Sequence, residues 1–440
     1  MKKYLKIVLE RLPAFIGVAL AGIDFRFRLG NRYVIFKIKA NYQLSKDKVK
    51  MYEEMKTLVE FSEMNILFYK DFYKKNNFSS MQLKSFDDLK LIPIVTKEDF
   101  QKFNLAHRVL SISKGIVTNT GGTSGQPLKL LLDTDSYARE WAHMHTIWEK
   151  LGYKTSCIKL TFRGMNLGTT PIKYNFIHNE FQVNAYCDVL EVIVALEKLL
   201  KKYKIEYLHG YPSAIYEFVK YSSNNYPDVV LKLRKNLKGI FFGSEYPAPV
   251  FRSFVEDQLK VPTISWYGHT EMAVLAYEKD EPFVYHPFQS YGFTEAVEID
   301  GKQHLVGTTI HNQVGPLIRY DTGDIIEPLT YKDGVLESFR ISEGRTGEFV
   351  VDSNGRNISL TALIFGRHHD LFGSADFVQV SQDEPGKITV YVTTQDKSLA
   401  AASLFDASGI NMTFEFILVD KPFKTPAGKV PLVVKPVTAH

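Results

Sequence analysis

The sequence predicts a large α/β N-terminal domain, with parallel sheets, helices and a β subdomain, followed by a small α+β C-terminal domain. Three observations predict it. Strand-like and helix-like patterns alternate between residues 188 and 268. From about 284 to 330 the pattern turns to β. Beyond Gly344-Arg-Thr-Gly347, about 95 residues mix both types, so the domains are read as 1–343 and 344–440.

The elements follow in order. Residues 45–75 are rich in Lys, Glu, Met and Leu at helical spacing. Asp188 reads as an N-cap, with Glu191 three residues on completing a capping box. Val189, Val192, Ile193, Leu196, Leu199 and Leu200 then recur on one helical face. Ile205 to Leu208 reads as a strand, Pro212 to Tyr221 as a helix, and Gly239 to Phe242 as a strand. Val250 to Leu259 reads as a helix and Thr263 to Tyr267 as a strand. Strand–helix–strand–helix–strand implies a parallel sheet with right-handed crossovers.

In the β region, Asp300-Gly301 is a hairpin signal. Val306 to Ile310 and Leu317 to Tyr320 read as strands. Past the linker come a strand at Phe349 to Val351, a turn at Ser353-Asn-Gly355 and a helix near 360–371. Lys387 to Thr393 is a strand, a short helix lies near 397–405, and Thr413 to Val419 is a strand.

Composition narrows the function classes. With 440 residues and 45% hydrophobic content, the chain can bury a sizeable core. A formal charge of +5 is small for this length. Lysines such as Lys198, Lys201, Lys202 and Lys204 lie on helix faces, with no basic stripe of stacking aromatics, so nucleic acid is not an expected partner. Cys157 and Cys187 are too few for a disulfide framework or a cysteine-rich zinc site. Met1-Lys-Lys is basic, Pro13 to Ile23 is apolar and Ala19-Leu-Ala21 mimics a cleavage site, but Glu10 and Arg11 interrupt the approach. The apolar run is far short of the ~20 residues that span a bilayer. It is read as a segment that packs on the body or grazes a membrane surface, in a cytoplasmic protein.

Ligands of such sheets bind beyond the carboxyl ends of strands. Gly210, Gly243-Ser-Glu245 and Gly268-His-Thr-Glu271 sit at three such ends, so three loops converge on one crevice. Upstream, Thr118-Asn-Thr-Gly-Gly-Thr-Ser-Gly-Gln-Pro127 packs three glycines and six hydroxyl or amide side chains into ten residues. Glycines let backbone N–H groups turn inward and approach an anion. No Gly-Lys-Ser/Thr follows, so this is not a Walker loop. An ordinary polar hairpin turn is the alternative.

Three more segments follow in order: Tyr267-Gly-His-Thr-Glu271, Arg319-Tyr-Asp-Thr-Gly-Asp324 and Lys424-Thr-Pro-Ala-Gly-Lys429. With the first loop, the series resembles the adenylate-forming superfamily. Within it the chain looks most like the phenylacetate–CoA ligase branch, and closest to the CapK-type capsular polysaccharide biosynthesis proteins. Leu91-Ile-Pro-Ile-Val-Thr-Lys97, Leu208-His-Gly-Tyr-Pro-Ser213 and Trp266-Tyr-Gly-His-Thr-Glu271 resemble that branch too. The resemblance covers nearly the whole chain. It implies that the C-terminal domain is a mobile lid.

The implied reaction is attack of a carboxylate on the α-phosphorus of ATP, giving acyl-adenylate and pyrophosphate. It needs donors and Mg²⁺ on the phosphate oxygens and a cation at the developing charge. The resemblance places the phosphates on Thr120, Gly121, Gly122, Thr123, Ser124 and Gly125, with Thr123 also catalytic. Glu271 is the implied Mg²⁺ ligand and catalytic residue; otherwise it is a first-turn Glu of a following helix. Asp324 would take both ribose hydroxyls, since a carboxylate accepts two hydrogen bonds at once; the alternative is a turn residue. Tyr267 would offer a face to adenine or pack in the core. Gly268 and Thr270 flank it. Gly243, Ser244 and Glu245 would line the adenine edge or simply turn the chain. Arg345 resembles the hinge arginine and Lys429 the lid lysine that bridges carboxylate and α-phosphate; without the motif each would be a surface charge.

The chain departs from the family pattern at Gly121, Gln126 and Glu348, which stand where a hydroxyl residue, a lysine and a hinge aspartate are usual. Expected pocket walls are Tyr211, Phe241, Phe242, His269 and Met272, suited to an apolar or aromatic acid. The partners are then a small-molecule carboxylate and an acceptor: coenzyme A or another thiol, a sugar or a carrier. A catalytically silent adenylate-binding or scaffold protein of a polysaccharide-modification pathway is the alternative.

Overall fold

The computed structural model describes residues 12–30, 32–41, 48–120, 128–243, 247, 249–343, 349–360, 363–364, 369–375, 377–423 and 433–434. A two-stranded hairpin pairs β1 (Ile116–Asn119) with β2 (Lys129–Leu132). The α/β half of the main sheet comprises β3 (Lys159–Phe162), β4 (Ile172–Asn175), β5 (Glu180–Val183), β6 (Tyr207–Gly210), β7 (Gly239–Phe242) and β8 (Thr263–Gly268). The second half comprises β9 (Leu275–Glu278), β10 (Tyr285–Pro287), β11 (Phe293–Ile299), β12 (Lys302–Thr308), β13 (Tyr320–Lys332) and β14 (Val335–Glu343). Together they form one twelve-stranded sheet, ordered β11-β12-β13-β14-β10-β9-β8-β7-β6-β3-β5-β4.

Strands β3, β6, β7 and β8 run parallel, joined by helices Pro212–Asn225, Pro227–Arg234 and Pro249–Leu259. Helix Val189–Leu200 feeds β6. Its N-cap is Asp188, whose carboxylate accepts the Leu190 N–H at 2.7 Å. The expected capping box is not completed: Glu191 instead bonds to the Cys187 thiol and, after burial, helps to raise its pKa. The strand expected from Ile205 begins two residues later, at Tyr207.

Alternate residues of a strand face opposite sides. Leu208, Ile240 and Phe242 therefore face the core beneath helices 189–200, 212–225 and 249–259. Tyr207 and Phe241 face a second core around Trp148 of helix Ser136–Trp148. Phe241 stacks on the Trp148 indole at 4.6 Å. This corrects the expected pocket: Phe241 and Phe242 are both fully buried and cannot wall one cavity.

The antiparallel half rolls up. Tyr267 of β8 and Asp324 of β13 are four strands apart in the sheet order, which on a flat sheet would separate them by about 19 Å. Their side chains bond at 2.5 Å. The curl surrounds a small core of Val274, Tyr285, Leu305, Ile326 and Phe339. Gly307 of β12 lies against Ala273 and Val274 so closely that a Cβ would overlap them. The hairpin signal is met: Asp300 and Gly301, both at positive φ, join β11 to β12.

Leu317 to Arg319 is not the start of a strand. Arg319 has φ +45°, and this stretch bonds outside the ladder: Leu317 C=O accepts from Thr309 N–H, and Arg319 C=O accepts from Val95 N–H. The Arg319 guanidinium donates to the carbonyls of Lys90 and Ile92 and to Glu295. It thus stitches the Leu91–Lys97 segment to the start of β13.

The C-terminal strands form two small sheets. β15 (Phe349–Val351) pairs with β16 (Asn357–Ser359) around the Gly355 turn. β17 (Phe377–Ser381) runs antiparallel to β18 (Lys387–Thr393), and β19 (Thr413–Val419) parallel to it. They share a core of their own, including Val350, Leu363, Val378 and Val390. Of the helix expected near 360–371, Leu360, Leu363 and Ile364 are helical and Asp370–Gly373 is a 3₁₀ turn. The expected helix near 397–405 is reduced to the 3₁₀ turn Ala401–Leu404. Arg356 pairs with Asp188 at 3.0 Å, and Asn166 donates to Ser408 at 3.0 Å and to Asp406 at 3.3 Å, so polar contacts join this unit to the main body.

Candidate active site

The site is built where β8 ends. The chain leaves Gly268, turns through His269–Met272 and returns as antiparallel β9. The Met272 N–H donates to the His269 carbonyl at 3.0 Å, and Met272 takes φ +53°, a left-handed position that a non-glycine residue adopts at a cost. No helix follows, so the first-turn reading of Glu271 is overturned. Glu271 stands in a strand-to-strand turn.

Its carboxylate is held from two sides. The Val274 N–H donates to His269 Nε2 at 3.3 Å, which makes that nitrogen the acceptor. The proton therefore sits on Nδ1, which donates to Glu271 Oε2 at 3.0 Å. The Tyr320 hydroxyl reaches Glu271 Oε1 at 3.5 Å, the outer limit of a bond. The histidine ring thus orients the carboxylate.

Asp324 faces the same end of the sheet. The Tyr267 hydroxyl donates to its Oδ2 at 2.5 Å. Its backbone N–H donates to the Thr322 hydroxyl at 3.2 Å, and that hydroxyl donates to Leu305 C=O at 2.8 Å. Gly323, at φ +76°, lets the chain turn there, and its N–H donates to Asp321, which also accepts from His304 Nδ1 at 2.9 Å. Each acid of the Arg319–Asp324 segment therefore has a partner that fixes its direction. The Tyr267 ring is half-buried and packs edge-on against Phe339 and His269.

Gly243 follows β7, where a Cβ would overlap the Trp266 indole, so only glycine fits under that ring. Gly268 ends β8 and Thr270 is exposed at the turn. Thr120 closes the neck of the Gly/Thr/Ser loop: its N–H donates to Leu128 C=O at 3.0 Å, and its hydroxyl accepts the Leu128 N–H at 2.9 Å. The Thr120 oxygen is thus part of the hairpin closure. Gly121, Gly122, Thr123, Ser124, Gly125, Ser244, Glu245, Arg345 and Lys429 lie outside the described residues.

A shallow crevice lies beside Glu271 and Met272, with Leu132, Ser136, Arg139, Tyr291 and His311 among its walls. It joins the turn after β8 to the end of β2, the strand that returns from the Gly/Thr/Ser loop. Arg139 is anchored by Asp133 at 2.5 Å. Tyr291 donates a short bond to Glu140, whose pKa burial raises. Sequence reading missed Tyr320, His304 and Asp321 as supporting groups, and took His269 only as a pocket wall. Tyr320 meets Glu271 across the curled sheet and His304 meets Asp321 between neighbouring strands, so no local pattern carries these contacts.

No protein-family model and no curated protein sequence matches the chain. Solved structures do. 2-Hydroxyisobutyryl-CoA ligase, in complex with 2-HIB-AMP and CoA in the thioesterification state, is 16% identical over 90% of each chain, with a TM-score of 0.57. The same ligase with 2-HIB-AMP in the postadenylation state is also 16% identical over 90% of each chain, with a TM-score of 0.54. Its open conformation with 2-HIB-AMP and CoA is 16% identical over 87% of this chain and 90% of that one, at 0.52. At such identity the likeness is one of fold, and it covers both the sheet body and the C-terminal unit.

Proposed function

We propose that this chain is an adenylate-forming ligase: it activates a carboxylic acid with ATP as an acyl-adenylate, releases pyrophosphate, and passes the acyl group to an acceptor. The observation that carries the reading is the pairing of two oriented carboxylates, Glu271 and Asp324, at the carboxyl end of β8. A ligase of the same fold holds an acyl-AMP, 2-HIB-AMP, and the proposal extends that chemistry to this chain.

The roles follow from the chemistry of each group. Asp324, fixed by Tyr267, presents its remaining acceptor capacity to a ribose diol. The Gly/Thr/Ser loop, closed at Thr120, would wrap the phosphates with backbone N–H groups, with Thr123 and Ser124 adding hydroxyls. Gly243, Ser244 and Glu245 would border the base, and Tyr267 would face it with Gly268 and Thr270 beside it. The residues fit Mg²⁺ in one respect: Glu271 is a single oriented carboxylate, and Mg²⁺ is commonly held by one or two carboxylates together with substrate phosphates. Among the described residues no group of three or more His, Cys, Asp or Glu forms a metal cage. Bound there, Mg²⁺ would supply charge neutralisation at the phosphates. Lys429 would bring its ammonium to the carboxylate and α-phosphate, with Arg345 at the hinge and residues 344–440 acting as the lid.

Coenzyme A is the acceptor favoured by the fold; a sugar or carrier acceptor belongs to the narrower reading as a phenylacetate–CoA ligase relative of the CapK type, acting in polysaccharide biosynthesis. Use of ATP and coenzyme A supports a cytoplasmic location, with membrane association left as part of the same reading. The test is carboxylate-dependent ATP–pyrophosphate exchange across fatty, aryl and amino acids, which needs no acceptor. Exchange with one class of acid supports the reading. Its absence with every acid, in folded protein that binds ATP, overturns it.

A further inference from the structure

The crevice beside Glu271 has mostly polar walls. Of the described residues that line it, Leu132 and Met272 are the apolar ones. Most of the polar side chains are already spent on the protein. The Asn312 amide donates to Leu131 C=O at 2.9 Å and Gly315 C=O at 2.8 Å, and its oxygen accepts the Gly315 N–H at 3.3 Å. The Thr309 hydroxyl accepts the Leu317 N–H at 2.9 Å and donates to the Leu317 carbonyl at 3.4 Å. Tyr291 donates to Glu140, and His311 Nε2 donates to Ser290 C=O at 2.9 Å. The Ser136 hydroxyl donates to Asp133 at 2.8 Å.

Arg139 differs. Its Nη2 makes both of its hydrogen bonds, to Asp133 Oδ2 at 2.5 Å and to the Ser136 hydroxyl at 3.2 Å. The N–H groups on Nε and Nη1 have no hydrogen-bond partner among the described residues. Arg139 is 5% exposed and lines the crevice, so those donors are left for whatever fills it. The fork is also fixed in place. Asp133 Oδ1 accepts the Asp135 N–H at 2.8 Å, which holds the partner carboxylate, and the guanidinium lies over the Phe36 ring at 5.3 Å. A planar donor fork held this way needs little ordering when a ligand binds.

The chemistry of the occupant follows from what the fork lacks. A hydrocarbon chain in the crevice would strip water from the donors and leave them unpaired, which is unfavourable. An oxygen acceptor restores the bonds. A further carboxylate is disfavoured, because Asp133 already balances the Arg139 charge and Glu271 lines the same crevice.

We propose that the acid activated here is short and carries a neutral oxygen function, a hydroxyl or an amide carbonyl, that accepts hydrogen bonds from Arg139 Nε and Nη1. Arg139 is then a specificity residue. The inference rests on the ligase reading for the ligand's identity as the activated acid. It replaces the apolar or aromatic acid that the sequence suggested.

The test sets four-carbon acids against each other: 3-hydroxybutyrate, succinamate, butyrate and succinate. Each is titrated calorimetrically into the full chain with a non-hydrolysable ATP analogue present, and each is run in pyrophosphate exchange. The hydroxy or amido acid should be favoured over butyrate about tenfold or more, since a site built to bond an oxygen rejects the analogue lacking it. Asp133→Asn with Arg139→Gln removes the cation and its partner together, so no buried charge is stranded. In that variant the preference should collapse toward unity. Arg139→Lys keeps Asp133 paired but loses the planar fork, and should give an intermediate ratio. A merely structural loss would lower every acid alike and leave the ratio unmoved. If the double variant does not fold, the ratio in Arg139→Lys decides. Equal use of butyrate and the oxygen-bearing acids, a preference for succinate, or binding of none of them overturns the proposal. An equal loss for every acid in the variants assigns Arg139 to the reacting carboxylate and overturns it too. Binding of the hydroxy or amido acid that depends on Arg139, with no exchange, keeps this site and removes the ligase reading.

Discussion

The bond from Tyr267 to Asp324 separates positioning from contact, and Tyr267→Phe tests it. The substitution removes one oxygen and keeps the ring, with its edge contacts to Phe339 and His269. A hydrogen bond to a charged group contributes about 1.5–3 kcal/mol. Both side chains are half exposed, so the loss of folding stability should fall at or below the lower end. For a nucleotide the reckoning differs. Asp324→Ala removes the proposed ribose acceptor, which at about 1.5–3 kcal/mol should weaken binding ten- to a hundredfold. Tyr267→Phe leaves the acceptor but frees its rotor, and re-immobilising one side chain costs about 0.5–1.5 kcal/mol, a two- to tenfold effect. Once Asp324 is gone the phenol has nothing left to orient, so the affinity of the double variant should equal that of Asp324→Ala alone. The assay is calorimetric titration with a non-hydrolysable ATP analogue on all four proteins. If the two single effects multiply in the double variant, Tyr267 meets the nucleotide independently and the positioning argument fails.

Three further outcomes are expected. Glu271→Gln keeps the bond from His269 Nδ1 but removes the charge, so pyrophosphate exchange should need more Mg²⁺; an unchanged titration would detach Glu271 from the metal. Lys429→Ala should cut adenylation by about 10²–10³ or more while leaving ATP affinity and melting temperature alone, and near wild-type exchange would remove it from the mechanism. Burial holds His143 at about 3 and His178 at about 4, and keeps His145 and His209 well below the usual 6.5. These folded-state values are depressed, so the unfolded chain binds more protons below pH 6.5, and stability complete above that pH is lost as it falls toward 4. The melting temperature should drop steeply across that window and less steeply in His143→Gln; parallel curves for the two proteins would contradict the assignment.

Much of the fold is legible because local pattern and tertiary demand agree. The alternation from Val189 to Gly268, the Asp300-Gly301 turn and the strands at 387–393 and 413–419 all lie where periodicity and turn chemistry put them. Leu317 to Arg319 misleads because its apolar residues are buried by a loop whose backbone bonds to Thr309 and Val95 instead of a ladder. Phe241 and Phe242 mislead for another reason: composition records two aromatics, but only strand phase tells that they face different cores. At the site, the acids Glu271 and Asp324 stand out in sequence through their motifs. Of the groups that aim them, His269 sits two residues from Glu271 in the same turn, whereas Tyr320 and Tyr267 meet the acids only when the antiparallel half curls back on β8.

That curl also sets an order of assembly. The hairpins β11–β12 and β13–β14 close between neighbours in sequence, whereas the bond from Tyr267 to Asp324 joins strands four apart in the sheet. Contacts between residues near in sequence form fast, and those that close long loops form late. In refolding, the Tyr267–Asp324 bond should therefore mature after the secondary structure around it. During synthesis β8 is made well before β13, so a nascent chain stopped between them already carries Glu271 and Tyr267 and still lacks the carboxylate that Tyr267 holds. Such a chain would hold Glu271 in its turn with the Tyr267 hydroxyl still without its Asp324 partner.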